Sequence, residues 1–183
     1  KVSSEILAPP AVSDDGVAVR SGDNRVFLLD RADGRRKWMY QRATPPLALR
    51  STAAPVFAER YVFVGYPGGK LVALDLKNGA PVWEGAVALP KGATELERVA
   101  DIVSLPAIDG RQVWAVAYQG RVACFDLGQG GALFGAGDFS SAAGIALDGR
   151  YLFLTDDKGA VHALDRSTGA SVAAFSAASR ASL

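Results

Sequence analysis

The sequence predicts an all-β chain made of β-propeller blades, each of four antiparallel strands, on three observations. An apolar run ending in Asp recurs four times, at Asp30, Asp75, Asp126 and Asp165, spaced by 45, 51 and 39 residues. A Gly follows each Asp by four residues, at Gly34, Gly79, Gly130 and Gly169. An aromatic follows eight residues after the Asp, as Trp38, Trp83 and Phe134, whereas the fourth copy has Ala173 there and Phe175 two further on. Self-similarity at a period of about 40–50 residues marks solenoids and propellers. No stretch keeps a 3.6-residue apolar period, so very little helix is expected.

The elements of one repeat follow in order. Pro10, Pro55 and Pro106 stand 20 residues before the Asp, with Ile145 in the fourth copy. Short β-branched and aromatic runs come next, among them Val17–Val19, Tyr61–Val64, Val113–Ala117 and Tyr151–Leu154, and such runs between turn residues read as strands. Asn24, Gly69, Gly120 and Gly159 precede the Asp by six residues and suit the positive φ of a tight hairpin. The Asp accepts backbone N–H groups of its own turn, and the Gly closes that turn in the left-handed region. The aromatic on the last strand fills space against the neighbouring blade. One sheet cannot bury both its faces, so blades stack. The repeats are expected at about 5–40, 52–89, 103–137 and 141–176.

Composition narrows function. The 183 residues are 49% hydrophobic and 21% charged, with a formal net charge of +1, which argues against nucleic acid as a partner. The basic stretch from Arg31 to Lys37 reads as a solvated turn. One His and one Cys leave no zinc cluster and no nucleophile pair, so no cofactor, no metal and no catalytic residue are expected. His162 takes a strand position held by Leu28, Val72 and Ala123 in the other copies, and Cys124 reads as a buried, inert thiol. Gly128-Gln129-Gly130-Gly131 lacks the Lys-Ser/Thr of a phosphate loop and reads as a turn. No run approaches the roughly 18 apolar residues of a bilayer span. Neither a signal peptide nor a lipid-attachment Cys opens the sequence.

Two connections exceed the needs of the repeat, at 40–51 and 89–102. Both join an outer strand to the next inner strand and should emerge on one face of the disc. Long loops on a rigid scaffold are where function tends to sit.

At these residues the chain resembles a known family. Its Asp-x-x-x-Gly-x-x-x-Trp unit is similar to the blade of quinoprotein-like (PQQ-type) propellers. Pro46-Leu47-Ala48-Leu49-Arg50…Ala54-Pro55, Thr94-Glu95-Leu96-Glu97-Arg98-Val99-Ala100-Asp101 and Ala115–Gly120 resemble, more narrowly, the outer-membrane protein assembly factor BamB family. That resemblance implies a periplasmic, non-catalytic lipoprotein of eight blades without cofactor, with membrane association only through a lipid anchor absent from this chain. It also implies binding to BamA of the machinery that folds β-barrels into the outer membrane. The family's docking surface carries over onto Leu47, Leu49, Arg50 and Asp101. Val103 stands where a second acidic residue is expected, which removes half of the acidic pair.

In an extended segment Leu47 and Leu49 point to one side, either as surface anchors or into the next blade's core. Four blades with the curvature of eight form an open arc with two exposed faces, so the chain is expected to self-associate. The alternatives are a quinone-dependent dehydrogenase, which would need a metal site and cofactor-stacking aromatics, and an interaction propeller with another partner.

Overall fold

The computed structural model describes residues 4–176. Sixteen strands form four separate antiparallel sheets, each in simple sequence order. Blade 1 comprises β1 (Ala11–Ser13), β2 (Gly16–Arg20), β3 (Val26–Leu29) and β4 (Arg36–Tyr40). Blade 2 holds β5 (Val56–Ala58), β6 (Tyr61–Tyr66), β7 (Lys70–Asp75) and β8 (Pro81–Ala86). Blade 3 holds β9 (Ala107–Asp109), β10 (Gln112–Val116), β11 (Val122–Asp126) and β12 (Ala132–Ala136). Blade 4 holds β13 (Ile145–Leu147), β14 (Tyr151–Thr155), β15 (Ala160–Asp165) and β16 (Ser171–Ser176). No helix occurs among the described residues, as the missing 3.6-residue period predicts. Pro10, Pro55 and Pro106 each stand immediately before an innermost strand, where a residue without N–H costs no ladder bond.

The Asp turn forms four times with one geometry. The carboxylate of Asp30 accepts Ala32 N–H at 2.8 Å, Asp75 accepts Lys77 N–H at 2.9 Å, Asp126 accepts Gly128 and Gln129 N–H at 2.9 and 2.8 Å, and Asp165 accepts Ser167 N–H at 2.9 Å. Each Gly then donates its N–H back to the Asp carbonyl at 2.7–3.0 Å, with φ between 67° and 73°. Just before each Asp the pairing of the two outer strands slips by one residue, a β-bulge that leaves one unpaired residue on the outermost strand. Those residues are Lys37, Val82, Leu133 and Val172, and all four are exposed. Three of the large apolar side chains on the surface therefore follow from the bulge and need no ligand to explain them.

The aromatic and the Gly meet across blades. Trp38 Nε1 donates to the Leu76 carbonyl of blade 2 at 2.8 Å, and Trp83 Nε1 to the Leu127 carbonyl of blade 3 at 2.9 Å. A Cβ added at Gly79 would lie 2.6 Å from the Trp38 ring, and at Gly130 it would lie 2.4 Å from Trp83. Gly169 stands in the same relation to Phe134, at 2.0 Å. The Phe134 ring has no N–H to give. At that junction Arg166 of blade 4 instead binds the Asp109 carboxylate of blade 3 and lies over the Trp114 ring.

Three apolar clusters join blades 1 and 2, blades 2 and 3, and blades 3 and 4. Among the described residues none joins blade 4 to blade 1, so the row is an open arc. Its end faces carry Val12, 64% exposed, and Phe175, 62% exposed.

One turn differs from expectation. Asn24, Gly69 and Gly159 have positive φ, but in blade 3 that conformation falls on Gln119 rather than Gly120. Gln119 N–H is held by Ser140 Oγ at 2.8 Å. Gly120 is required for space instead, because a Cβ there would meet those of Ala88 and Ala117 at 2.7 Å.

Candidate docking surface

The two long connections converge, as their shared role between outer and inner strands predicts. Arg42 in the first pairs with Glu84 at the end of blade 2, and Lys70 supports the same carboxylate at 3.2 Å. Pro45, Pro46 and Leu47 of the first connection and Pro90, Glu95 and Arg98 of the second line one hollow of about 200 Å³. Prolines fix φ and stiffen such a wall.

Leu47 is 43% exposed and Leu49 38%, so neither leucine enters the core of the next blade. They do not share one hollow, however. Leu47 faces the proline-lined hollow, whereas Leu49 and Arg50 border a second one beside the Ser21–Asn24 turn of blade 1. The chain bends at Pro46 and Leu47, so the alternation expected of an extended segment is lost. Arg50 is exposed and pairs with Glu5 at 2.8 Å, a surface ion pair of little energetic weight.

Asp101 requires a correction. Its carryover as a partner-contacting acid at the rim does not fit its burial at 1% exposure. Oδ2 accepts Leu49 N–H at 2.6 Å and Oδ1 accepts Gly68 N–H at 2.9 Å, while its carbonyl accepts Tyr118 N–H at 2.9 Å. Both carboxylate oxygens thus serve backbone donors of other segments. Asp101 stands behind the leucine segment and supports it. Val103, at the position of the absent second acid, contributes its carbonyl to Ser51 Oγ at 3.5 Å.

A polar network that the repeat did not reveal lies alongside. Arg20, 2% exposed, donates to Ser51 Oγ at 3.0 Å and to Asn24 Oδ1 at 2.7 Å and stacks 5.4 Å from the Tyr66 ring centre. Burial lowers the Arg20 pKa, opposed by the fields of Tyr66 and Asp101, and burial raises that of the Tyr66 phenol. A buried guanidinium is tolerated only when its donors find partners.

The second connection has a device of its own. Thr94 Oγ1 accepts Glu97 N–H at 3.2 Å, and Glu97 Oε2 accepts Ala93 and Thr94 N–H at 2.8 and 3.1 Å. This reciprocal capping box fixes a single turn, and those backbone bonds hold the Glu97 pKa below the usual range. Arg98 Nε closes it on the Gly92 carbonyl at 2.9 Å. The Thr-x-x-Glu spacing was the available signal. Leu89 and Leu96, 63% and 69% exposed, widen the apolar surface of this connection.

The remaining candidates are structural. His162 pairs with Asp156 at 2.8 Å and packs on Phe139. The Cys124 thiol is buried, and desolvation pushes its pKa up to about 12, which makes it inert. Arg31 and Lys37 pair with Asp14 and Asp30. Among the described residues no cluster of His, Cys, Asp and Glu is placed to hold a metal, and no helix is long and apolar enough to cross a membrane.

The family model described as outer membrane protein assembly factor BamB matches residues 1–174. This chain belongs to the BamB family. It is 45% identical over 172 residues to the BamB of Bordetella pertussis, covering 94% of this chain and 45% of that protein. With the BamB of Nitrosomonas eutropha it shares 45% over 157 residues, covering 86% and 38%. The crystal structure of BamB from Moraxella catarrhalis superposes with a TM-score of 0.88 at 30% identity, over 95% of this chain and 53% of that one. The chain therefore spans about half the length of the BamB proteins it matches. The quinohemoprotein alcohol dehydrogenase of Comamonas testosteroni also superposes, with a TM-score of 0.76, but at 16% identity, a likeness of fold alone. Family membership places the chain with the assembly factors and apart from those enzymes.

Proposed function

We propose that this chain is the docking half of a non-catalytic periplasmic scaffold of the β-barrel assembly machinery. It binds BamA through connections 40–51 and 89–102 and so supports insertion of β-barrel proteins into the outer membrane. The observation that carries the reading is the exposure of Leu47 and Leu49 on a segment whose backbone is tied down from behind by Asp101. Apolar anchors on a fixed backbone, with Arg50 beside them, suit a small hot spot with a charged edge.

The test is surface plasmon resonance with BamA and the intact protein carrying Leu47→Asp with Arg50→Ala. Leu47 is chosen over Leu49 because a carboxylate at 49 would lie on the residue whose amide feeds Asp101. Loss of such a pair costs on the order of 2–4 kcal/mol of binding, with far-UV spectrum and Tm unchanged. Wild-type affinity in the folded double variant rejects the docking reading.

A further inference from the structure

Among the described residues only two charged side chains are buried, Arg20 and Asp101. They come from different parts of the fold. Arg20 ends β2 in blade 1, and Asp101 closes the connection that enters blade 3. Yet both grip the same stretch of the connection between blades 1 and 2. Asp101 takes the amide of Leu49 at 2.6 Å, and Arg20 takes the hydroxyl of Ser51 at 3.0 Å. Ser51 in turn accepts Ala53 N–H at 3.2 Å and donates to the Val103 carbonyl.

Burying two opposite charges is a poor way to gain stability, since apolar residues of similar volume do as well or better. What a buried, hydrogen-bonded charge supplies is a fixed geometry for whatever it holds. We propose that Asp101 and Arg20 are positioning residues of the docking segment. They clamp it at Leu49 and Ser51 so that Leu47, Leu49 and Arg50 are presented in one shape. The inference rests on the docking reading above and adds how the surface is made. A segment ordered before binding does not lose that freedom on binding, which raises affinity without any new contact.

The clamp can be measured without a partner. In the wild-type chain the Leu49 amide should exchange with solvent at least about tenfold more slowly than those of Ala48 and Arg50, as expected for a hydrogen bond to a charged acceptor. Asp101→Asn turns one acceptor oxygen into a donor and takes the charge off the other, so one of Leu49 and Gly68 loses its partner and the other keeps only a neutral acceptor. Leu49 protection should fall several-fold in either orientation, and affinity for BamA should fall roughly tenfold. Arg20→Lys keeps the charge but not the two-directional fork, and should loosen residues 49–51 less. The control is Ser141→Ala in blade 4, which removes an equally buried polar group that bonds the Thr155 carbonyl. It should lower Tm and leave both Leu49 exchange and BamA binding unchanged.

Rapid wild-type exchange at Leu49 overturns the clamp, as does an Asp101→Asn protein that frees Leu49 yet binds BamA normally. The wild-type measurement decides the matter even if Asp101→Asn does not fold. Failure of the docking reading shows separately, as normal BamA binding by the Leu47→Asp, Arg50→Ala protein.

Discussion

Replacing Gly130 by Ala and, separately, Gly34 by Ala tests the reading that each blade is keyed to its predecessor through the turn glycine. The two positions are the same turn residue in two blades. Their φ values are 67° and 70°, and each donates its N–H to its own Asp carbonyl, at 2.9 and 3.0 Å. An Ala side chain in the left-handed region costs about 1–2 kcal/mol. The loss of unfolded-chain freedom returns about 0.4–1 kcal/mol. Both terms are common to the pair and cancel in the difference. What differs is the neighbour. A Cβ at Gly130 meets the Trp83 ring at 2.4 Å, whereas nothing lies within 4 Å at Gly34. Trp83 cannot yield freely, because its Nε1 is bonded to Leu127 and its ring packs on Phe63 and Phe125. Forcing a methyl group into such a contact costs about 1–3 kcal/mol. Gly130→Ala should therefore be less stable than Gly34→Ala by about 1–3 kcal/mol, read as the difference in urea midpoint at a common m value. Equal destabilisation of the two variants refutes the keyed-turn account and leaves the glycines conserved in the repeat for φ alone.

Three further outcomes follow from the same geometry. Ser167 and Arg150 hold the Asp165 carboxyl down from 3.8 to about 2, and hydrogen bonds from the turn lower Asp30 and Asp126 as well. A pKa lowered by folding stabilises the chain above the unfolded value and loses that effect as pH falls through the folded one. Urea midpoints should thus drop between about pH 4 and pH 2, with a shallower slope in Asp165→Asn; an unchanged slope rejects the role given to that turn. The two open end faces should make the chain self-associate, seen as a mass above the monomer in light scattering and reduced by Phe175→Glu; a monodisperse monomer at all concentrations removes this expectation. Trp83→Phe keeps an aromatic ring, though a smaller one, and leaves the Leu127 carbonyl without its donor, and should cost about 1–3 kcal/mol; a neutral effect in thermal unfolding shows that the bond carries no weight.

How much of this was legible depended on distance along the chain. The Asp-x-x-x-Gly turn is complete within five residues, so composition and spacing suffice to specify it four times. The bulge before each Asp is equally regular but has no residue signature, since Lys37, Val82, Leu133 and Val172 share only their place. The pairing of Trp38 with Leu76 joins residues 38 apart, and the repeat period could have revealed it. Asp101 could not be read correctly by either route. It lies outside the repeat, and nothing local to a Val-Ala-Asp-Ile run distinguishes a rim acid from a buried acceptor.

Only the arrival of Leu49 from 52 residues away decides the case, and that arrival depends on two connections of unequal length meeting on one face. The same holds for Arg20. It ends β2, where Ser51, 31 residues on, and the Tyr66 ring enclose it. A repeat protein thus conceals function where the period breaks. Residues that obey the period build the arc, and their roles can be checked against their copies. Ser51 is matched by Ser141, whose hydroxyl likewise accepts the N–H two residues on, but Arg20 and Asp101 have no Arg or Asp at the matching places of the other copies. Their shared hold on one exposed segment marks that segment as the part of this chain whose exact path matters.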